Sequence, residues 1–164
     1  LELRKPVALV KSKGNVFLVD GDGIRLPGRY YKWPNSNEHT VSILVDKLED
    51  VPISGKKWND QRVLAGVDLV KFLKKNKADE LFRIKHVDVS GVGSRFLTRK
   101  SDIILWTKNG IQIKWGCSPL CGDADELSDA DKLRNLFSVA RVTGNKFDGL
   151  KYVDVRWTRP VVKR

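Results

Sequence analysis

Two histidines, two cysteines and a few clustered carboxylates are the residues of this chain that could do chemistry, and their spacing limits what they can do. His39 and His86 stand far apart, with no other histidine in the sequence. An acid–base pair or metal site built on histidine would need further ligands beside one of them, and none is there. His39 falls in a polar stretch and is expected to be exposed. His86 falls where the phase of strand alternation reverses, so a structural place at a bulge is expected. Cys117 and Cys121 enclose Ser118-Pro119-Leu120. Three intervening residues do not make the two-residue redox motif, and no nearby Cys or His completes a zinc site. A small disulfide between Cys117 and Cys121 across the proline turn is the expected arrangement and would imply an oxidising compartment. Two free thiols are the alternative.

Asp20-Gly21-Asp22-Gly23 has the opening of a calcium loop, but the later ligands and the closing glutamate are missing, and a turn is the simpler reading. Asp123, Asp125, Glu126, Asp129 and Asp131 could attract a cation, although acids at a helix start serve equally to complement its dipole. Trp33, Trp58, Trp106, Trp115 and Trp157 are spread out, as core and interface residues are, rather than grouped as a base-stacking platform. Neither the nucleophile elbow nor the phosphate-binding loop occurs. We therefore expect no enzyme activity, no cofactor and no metal. A carboxylate-dependent glycosidase stays open, because the separation of two acids in space is not legible in sequence.

The chain carries 31 Lys and Arg against 20 Asp and Glu, a formal charge of +11. Nucleic acid, an anionic lipid or polymer surface, and an acidic protein are all partners that such a balance admits. The basic residues are scattered among acids. The densest groups, Lys71, Lys74, Lys75 and Lys77, and then Arg95, Arg99 and Lys100, are not long runs. A solvated basic face is the plain expectation, with an anionic envelope surface next and nucleic acid last. The 164 residues are enough for one domain with its own core. No apolar run is long enough to span a bilayer, and the charged opening Leu1-Glu2-Leu3-Arg4-Lys5 is not a signal peptide. The absence of methionine suggests a segment of a longer protein.

The elements follow from periodicity. Val7-Ala8-Leu9-Val10, Val16-Phe17-Leu18-Val19 and Val41-Ser42-Ile43-Leu44-Val45 predict strands broken by Gly and Asp. Val63, Leu64, Val67, Val70 and Leu73 predict a helix capped by Asn59 or Asp60, with Gly66 held close to a sheet. Phe82-Arg83-Ile84-Lys85 and Val87-Asp88-Val89 predict a strand bulged near His86. Lys108-Asn109-Gly110 between Ile103-Ile104-Leu105-Trp106 and Ile111-Gln112-Ile113-Lys114-Trp115 predicts a hairpin. Ser128 should cap a second helix with the stripe Leu133, Leu136, Phe137 and Ala140. Tyr152-Val153-Asp154-Val155-Arg156-Trp157 predicts a closing strand, with Tyr152, Asp154 and Arg156 on one face and Val153, Val155 and Trp157 on the other. The sum is an α+β fold: a mixed, mainly antiparallel sheet with two helices on one face.

The ordered combination of these segments resembles the extracytoplasmic part of the bacterial cell-division proteins FtsQ and DivIB. The resemblance rests on Arg4-Lys5-Pro6-Val7-Ala8 with Phe17-Leu18-Val19-Asp20-Gly21-Asp22-Gly23, on the helix at residues 63–73, on the hairpin ending Trp115-Gly116, and on Lys132-Leu133 with Tyr152-Val153-Asp154-Val155-Arg156-Trp157. The cysteine-bearing stretch 117–126 departs from the family's short link, and most of the preceding POTRA module is absent. The resemblance implies that residues 1–30 are the end of a POTRA-like module with opening strands and residues 31–164 the β domain. It implies a non-catalytic divisome scaffold at the septum, on the periplasmic face of the cytoplasmic membrane, anchored by a segment ahead of residue 1. It further implies that FtsB- or FtsL-like partners dock by strand addition near the carboxyl end, with Tyr152, Asp154, Arg156, Trp157 and Thr158 as partner-binding residues. A basic nucleic-acid-binding or anionic envelope-binding domain is the alternative.

Overall fold

Alternation of apolar and polar residues places β1 (Pro6–Ser12) and β2 (Asn15–Asp20) in a tight antiparallel hairpin turned at Lys13 and Gly14. The computed structural model describes residues 3–28, 39–93, 103–117 and 126–164. Its further elements are β3 (Ser42–Leu44), α1 (Gln61–Lys75), α2 (Ala78–Leu81), β4 (Ile84–Asp88), β5 (Ile103–Thr107), β6 (Gln112–Gly116), α3 (Asp129–Thr143), β7 (Tyr152–Asp154) and β8 (Val161–Lys163). The strands form one mixed, mostly antiparallel sheet in the order β2-β1-β3-β4-β5-β6-β7-β8. β1 and β2 share one sheet with β3 to β8 and one core with the described residues from 41 onward.

Both long helices cover one face of the sheet. Trp115 of β6 shows this, since its ring contacts Phe72 of α1 and its indole nitrogen donates to Asp129 of α3 at 3.0 Å. Asp60 caps α1 by accepting from the Arg62 amide at 2.9 Å. Ser128 caps α3 by accepting from the Asp131 amide, and its hydroxyl donates back to the Asp131 carboxylate. The hairpin of β5 and β6 closes through Gly110, whose φ of +79° needs a residue without Cβ. Gly66 lies against the sheet as expected: a Cβ there would meet Ile43 Cγ2 at 2.7 Å.

Two expectations change. Phe82 and Arg83 are not strand: Phe82 is buried at the end of α2, which the sequence did not announce, and Arg83 takes a left-handed φ of 54° before β4 begins. The bulge does lie beside His86, where the register shifts between Ile84 and His86. His39 is not exposed; it is partly buried, with its ring donating to the Ile84 carbonyl.

Asp20 shows what the Asp-Gly turn does. One carboxylate oxygen accepts from the amides of Asp22 and Ile24 at 2.9 Å each, and the other takes Arg4 at 2.7 Å. Burial by itself would raise the Asp20 pKa. The Ile24 amide, the Arg4 guanidinium and the Asp22 amide outweigh it and hold the group below the ordinary carboxylate range.

Two predictions come from this packing. Gly66→Ala gains helix propensity of up to about 1 kcal/mol but forces a methyl into Ile43, at a cost of about 1–3 kcal/mol. Urea denaturation should therefore show a net loss, and an unchanged or raised midpoint would refute the close contact. The second concerns pH. Burial depresses His39, against its bond to Ile84, with Lys108 adding to the effect; burial also depresses His86, with Lys85 and Lys11 adding to it. The unfolded chain then binds protons more readily than the folded one, so stability falls as pH drops through about 6.5. Thermal unfolding across that window should show the fall, and the double variant His39→Gln, His86→Gln should flatten it.

Candidate functional site

The carboxyl-terminal end of the sheet departs from the expected single closing strand. β7 stops at Asp154, and residues 155–160 turn the chain back. β8 then pairs antiparallel with β7 in the register Tyr152 with Lys163, Val153 with Val162 and Asp154 with Val161. Because β7 also pairs in parallel with β6, both its sides are occupied by this chain's own strands. The border expected along Tyr152 to Trp157 is therefore not open. The open border is one strand further out, at β8, which has no strand on its outer side among the described residues.

The expected docking residues divide accordingly. Tyr152 lies on the helix-free face, with the Lys114 ammonium 4.0 Å from its ring centroid. Asp154 is buried and accepts from Arg156 Nε at 2.9 Å and from a terminal guanidinium nitrogen at 2.7 Å. That fork-to-fork pair holds Arg156 inward, its side chain 12% exposed. The guanidinium also lies 5.0 Å from the Trp157 ring centroid. Trp157 is not core, being 43% exposed, and Thr158 is exposed beside it. Val161 and Val162 are 49% and 44% exposed. Trp157 and these two valines thus put apolar surface beside the bare edge.

A buried ionic cluster supports this turn. Lys132 of α3 is only 2% exposed, and its ammonium donates to Glu126 at 2.8 Å and to the Cys117 carbonyl at 3.4 Å. The same Glu126 oxygen accepts from the Cys117 amide at 2.8 Å. Gly116 makes room for the group: a Cβ there would lie 2.5 Å from the Glu126 carboxylate and 2.7 Å from Arg156 Cδ. The Leu127 amide donates to the Arg156 carbonyl at 3.2 Å. Asn135 of α3 donates to the carbonyls of Val155 and Trp157 at 3.3 and 2.8 Å. Cys117 is disulfide-bonded; the chain's other cysteine, Cys121, lies outside the described residues, as do Asp123 and Asp125. The remaining acids of that stretch have structural partners: Glu126 holds Lys132, Asp129 holds Trp115, and Asp131 holds Ser128 and Arg134.

The sheet's other edge is treated differently. Beyond β2 the chain returns on itself, with Leu26 donating to the Leu18 carbonyl at 2.9 Å and Asp20 donating to Ile24 at 3.1 Å. The Arg25 guanidinium sits 4.8 Å from the Phe17 centroid, and Arg25 in turn exchanges backbone bonds with Gly55 and Lys56. Much of that border is closed.

Sequence reasoning missed Asn135, Val161 and Val162, took Lys132 only as part of the family resemblance, and read Glu126 as a cation-attracting or helix-start acid without its partner Lys132. For Lys132 a signal existed, since it precedes Leu136 and Ala140 at four-residue spacing and so falls on the buried stripe of α3. No protein-family model matches the chain, and no curated protein matches it.

Removing one partner of the buried pair tests the cluster. Lys132→Met leaves Glu126 without its cation and should cost about 3–5 kcal/mol in urea unfolding at neutral pH. Adding Glu126→Gln should recover part of the loss, and a silent Lys132→Met would show that the pair does not bear on the turn.

Proposed function

We propose that this is a non-catalytic docking domain of the bacterial division machinery, similar in role to FtsQ and DivIB, which takes an extended segment of an FtsB- or FtsL-like partner along β8. The observation that carries the reading is the outer edge of β8, unpaired among the described residues, with Trp157, Val161 and Val162 exposed around it. An edge strand offers unpaired amides and carbonyls to a foreign backbone, and apolar anchors beside it supply affinity. The opposite edge, closed by residues 24–26, offers far less.

In this reading the ion pair of Asp154 and Arg156 has a positioning task. It fixes the turn from which Trp157 projects, while Tyr152 and Lys114 border it on the helix-free face. β8 is short, follows Pro160, ends at Lys163 and has Arg164 just beyond it. Those features discourage indiscriminate pairing with other edges and leave a short, specific partner as the suited occupant. The disulfide at Cys117 supports a place outside the reducing cytoplasm. The described carboxylates Asp20, Asp60, Glu126 and Asp154 are spent on backbone amides and cations, which favours a holding role for them over acid–base work.

The test is direct binding of the extracytoplasmic segments of the FtsB- and FtsL-like proteins from the same genome. Trp157→Asp and Val162→Asp should each lower affinity by about 30-fold or more, as the loss of a 2 kcal/mol hot spot does, with an unchanged circular dichroism spectrum. Binding should weaken only modestly with salt, whereas nucleic-acid binding would fall steeply. Unaltered affinity in both variants would remove β8 from the interface.

A further inference from the structure

Strand direction sorts the charges of this domain by end. β1, β3, β4, β6 and β7 run the same way, so their first residues lie together with the 108–111 turn and the last residues of β2, β5 and β8. The carboxyl end of α1 arrives at the same place, because Lys74 donates to the His39 carbonyl and to Asp79 at 3.2 Å each, and His39 in turn bonds Ile84 at the foot of β4.

The exposed cations at this end include Lys75, Arg83, Lys108, Lys151, Lys163 and Arg164. Backbone bonds make neighbours of several of them: the Lys108 amide donates to the Arg83 carbonyl at 2.8 Å and the Lys151 amide to the Lys163 carbonyl at 2.7 Å. Among the described residues Glu80 and Asp148 stand against them as exposed acids; Asp22 at the β2 border is paired with Arg4, and Asp79 is buried and paired with Lys74. At the opposite end the acids are numerous and matched. Asp46 and Asp60 hold Arg62, Asp131 holds Arg134, and Asp154 holds Arg156. Among the described residues the positive excess is thus concentrated at one end. The depressed pKa of His39, to which Lys108 and Lys74 contribute beyond its burial, agrees with a positive potential there.

We propose that this end of the sheet docks on an anionic phospholipid bilayer surface. From Arg83 at β4 to Lys163 at β8 the cations span four strand spacings, roughly 19 Å. They come from separate turns and strand ends, and most are lysines, which are point charges without a planar fork. A broad field of phosphate headgroups suits such a row. Nucleic acid would call for aromatic platforms as well, and the exposed aromatic Trp157 sits at the other end. Screening over about 8 Å at physiological salt means that the row must meet the headgroups closely. Bound this way, the outer edge of β8 stays free. The inference stands whether or not a partner strand docks there.

Sedimentation with vesicles tests it, comparing phosphatidylcholine alone with phosphatidylcholine containing phosphatidylglycerol. The wild-type protein should bind only the anionic vesicles, and less as salt rises. A variant carrying Lys75→Glu, Lys108→Glu, Lys151→Glu and Lys163→Glu should lose binding by on the order of tenfold or more. A control of equal charge change at the opposite end, Lys13→Glu, Lys47→Glu, Arg134→Glu and Arg159→Glu, should retain most of it. Lysine labelling of the wild-type protein on vesicles gives a readout free of folding effects: Lys108 and Lys151 should be protected, and Lys13 and Lys47 should not. Equal loss in both variants, uniform labelling, absence of vesicle binding, or tighter binding to duplex DNA at the same salt would each overturn the proposal.

Discussion

Lys132 brings an ammonium group into a site almost closed to water, and much of the architecture at the carboxyl end answers that single charge. An unpaired charge there would be very costly, so a carboxylate must follow it in. Glu126 does so, and in doing so it clasps the Cys117 amide while its neighbour Leu127 bonds the Arg156 carbonyl. The pair thereby fastens α3 to the end of β6 and to the turn after β7. Gly116 is the steric counterpart: any side chain would displace both Glu126 and Arg156.

That fastening matters because the turn carries the surface proposed to bind. Asn135 holds the carbonyls on either side of Arg156, Asp154 holds its guanidinium, and the guanidinium lies against Trp157. Trp157 is therefore presented from a braced backbone, which limits the entropy lost when a partner meets it. The sheet then finishes with β8, whose valines have no helix to cover them. Among the described residues one edge is largely closed by the chain itself and the other is left bare, and this asymmetry gives the domain a direction.

Charge adds a second direction. Acids and cations pair along the end of the sheet where α1 and α3 begin, as helix starts favour. Cations dominate at the end where α1 stops. In sequence these lysines and arginines are dispersed, and only the sheet topology, with five strands sharing one direction and three opposed to them, gathers them. A basic composition became a basic surface through topology.

The local elements were legible because each has a short-range cause. The Gly110 hairpin, the Asp60 and Ser128 caps and the stripes of α1 and α3 depend on residues within a turn or two of one another, and the structure contains them all. The bulge at His86 and the close approach at Gly66 were also readable, one from a broken alternation and the other from a glycine where a helix would prefer a side chain. The four-residue α2 was not readable, since it rests on Lys77 in a left-handed conformation and on the buried seat of Phe82. β8 was not readable either: three residues with two valines carry no period, and they become a strand only because β7 offers them an edge. The sequence alone determined the α+β class and the secondary elements other than α2 and β8, through interactions reaching a few residues. Which edge stays open, which tryptophan reaches solvent and where the positive charge gathers were decided by tertiary structure, because each depends on pairings between segments far apart in the chain.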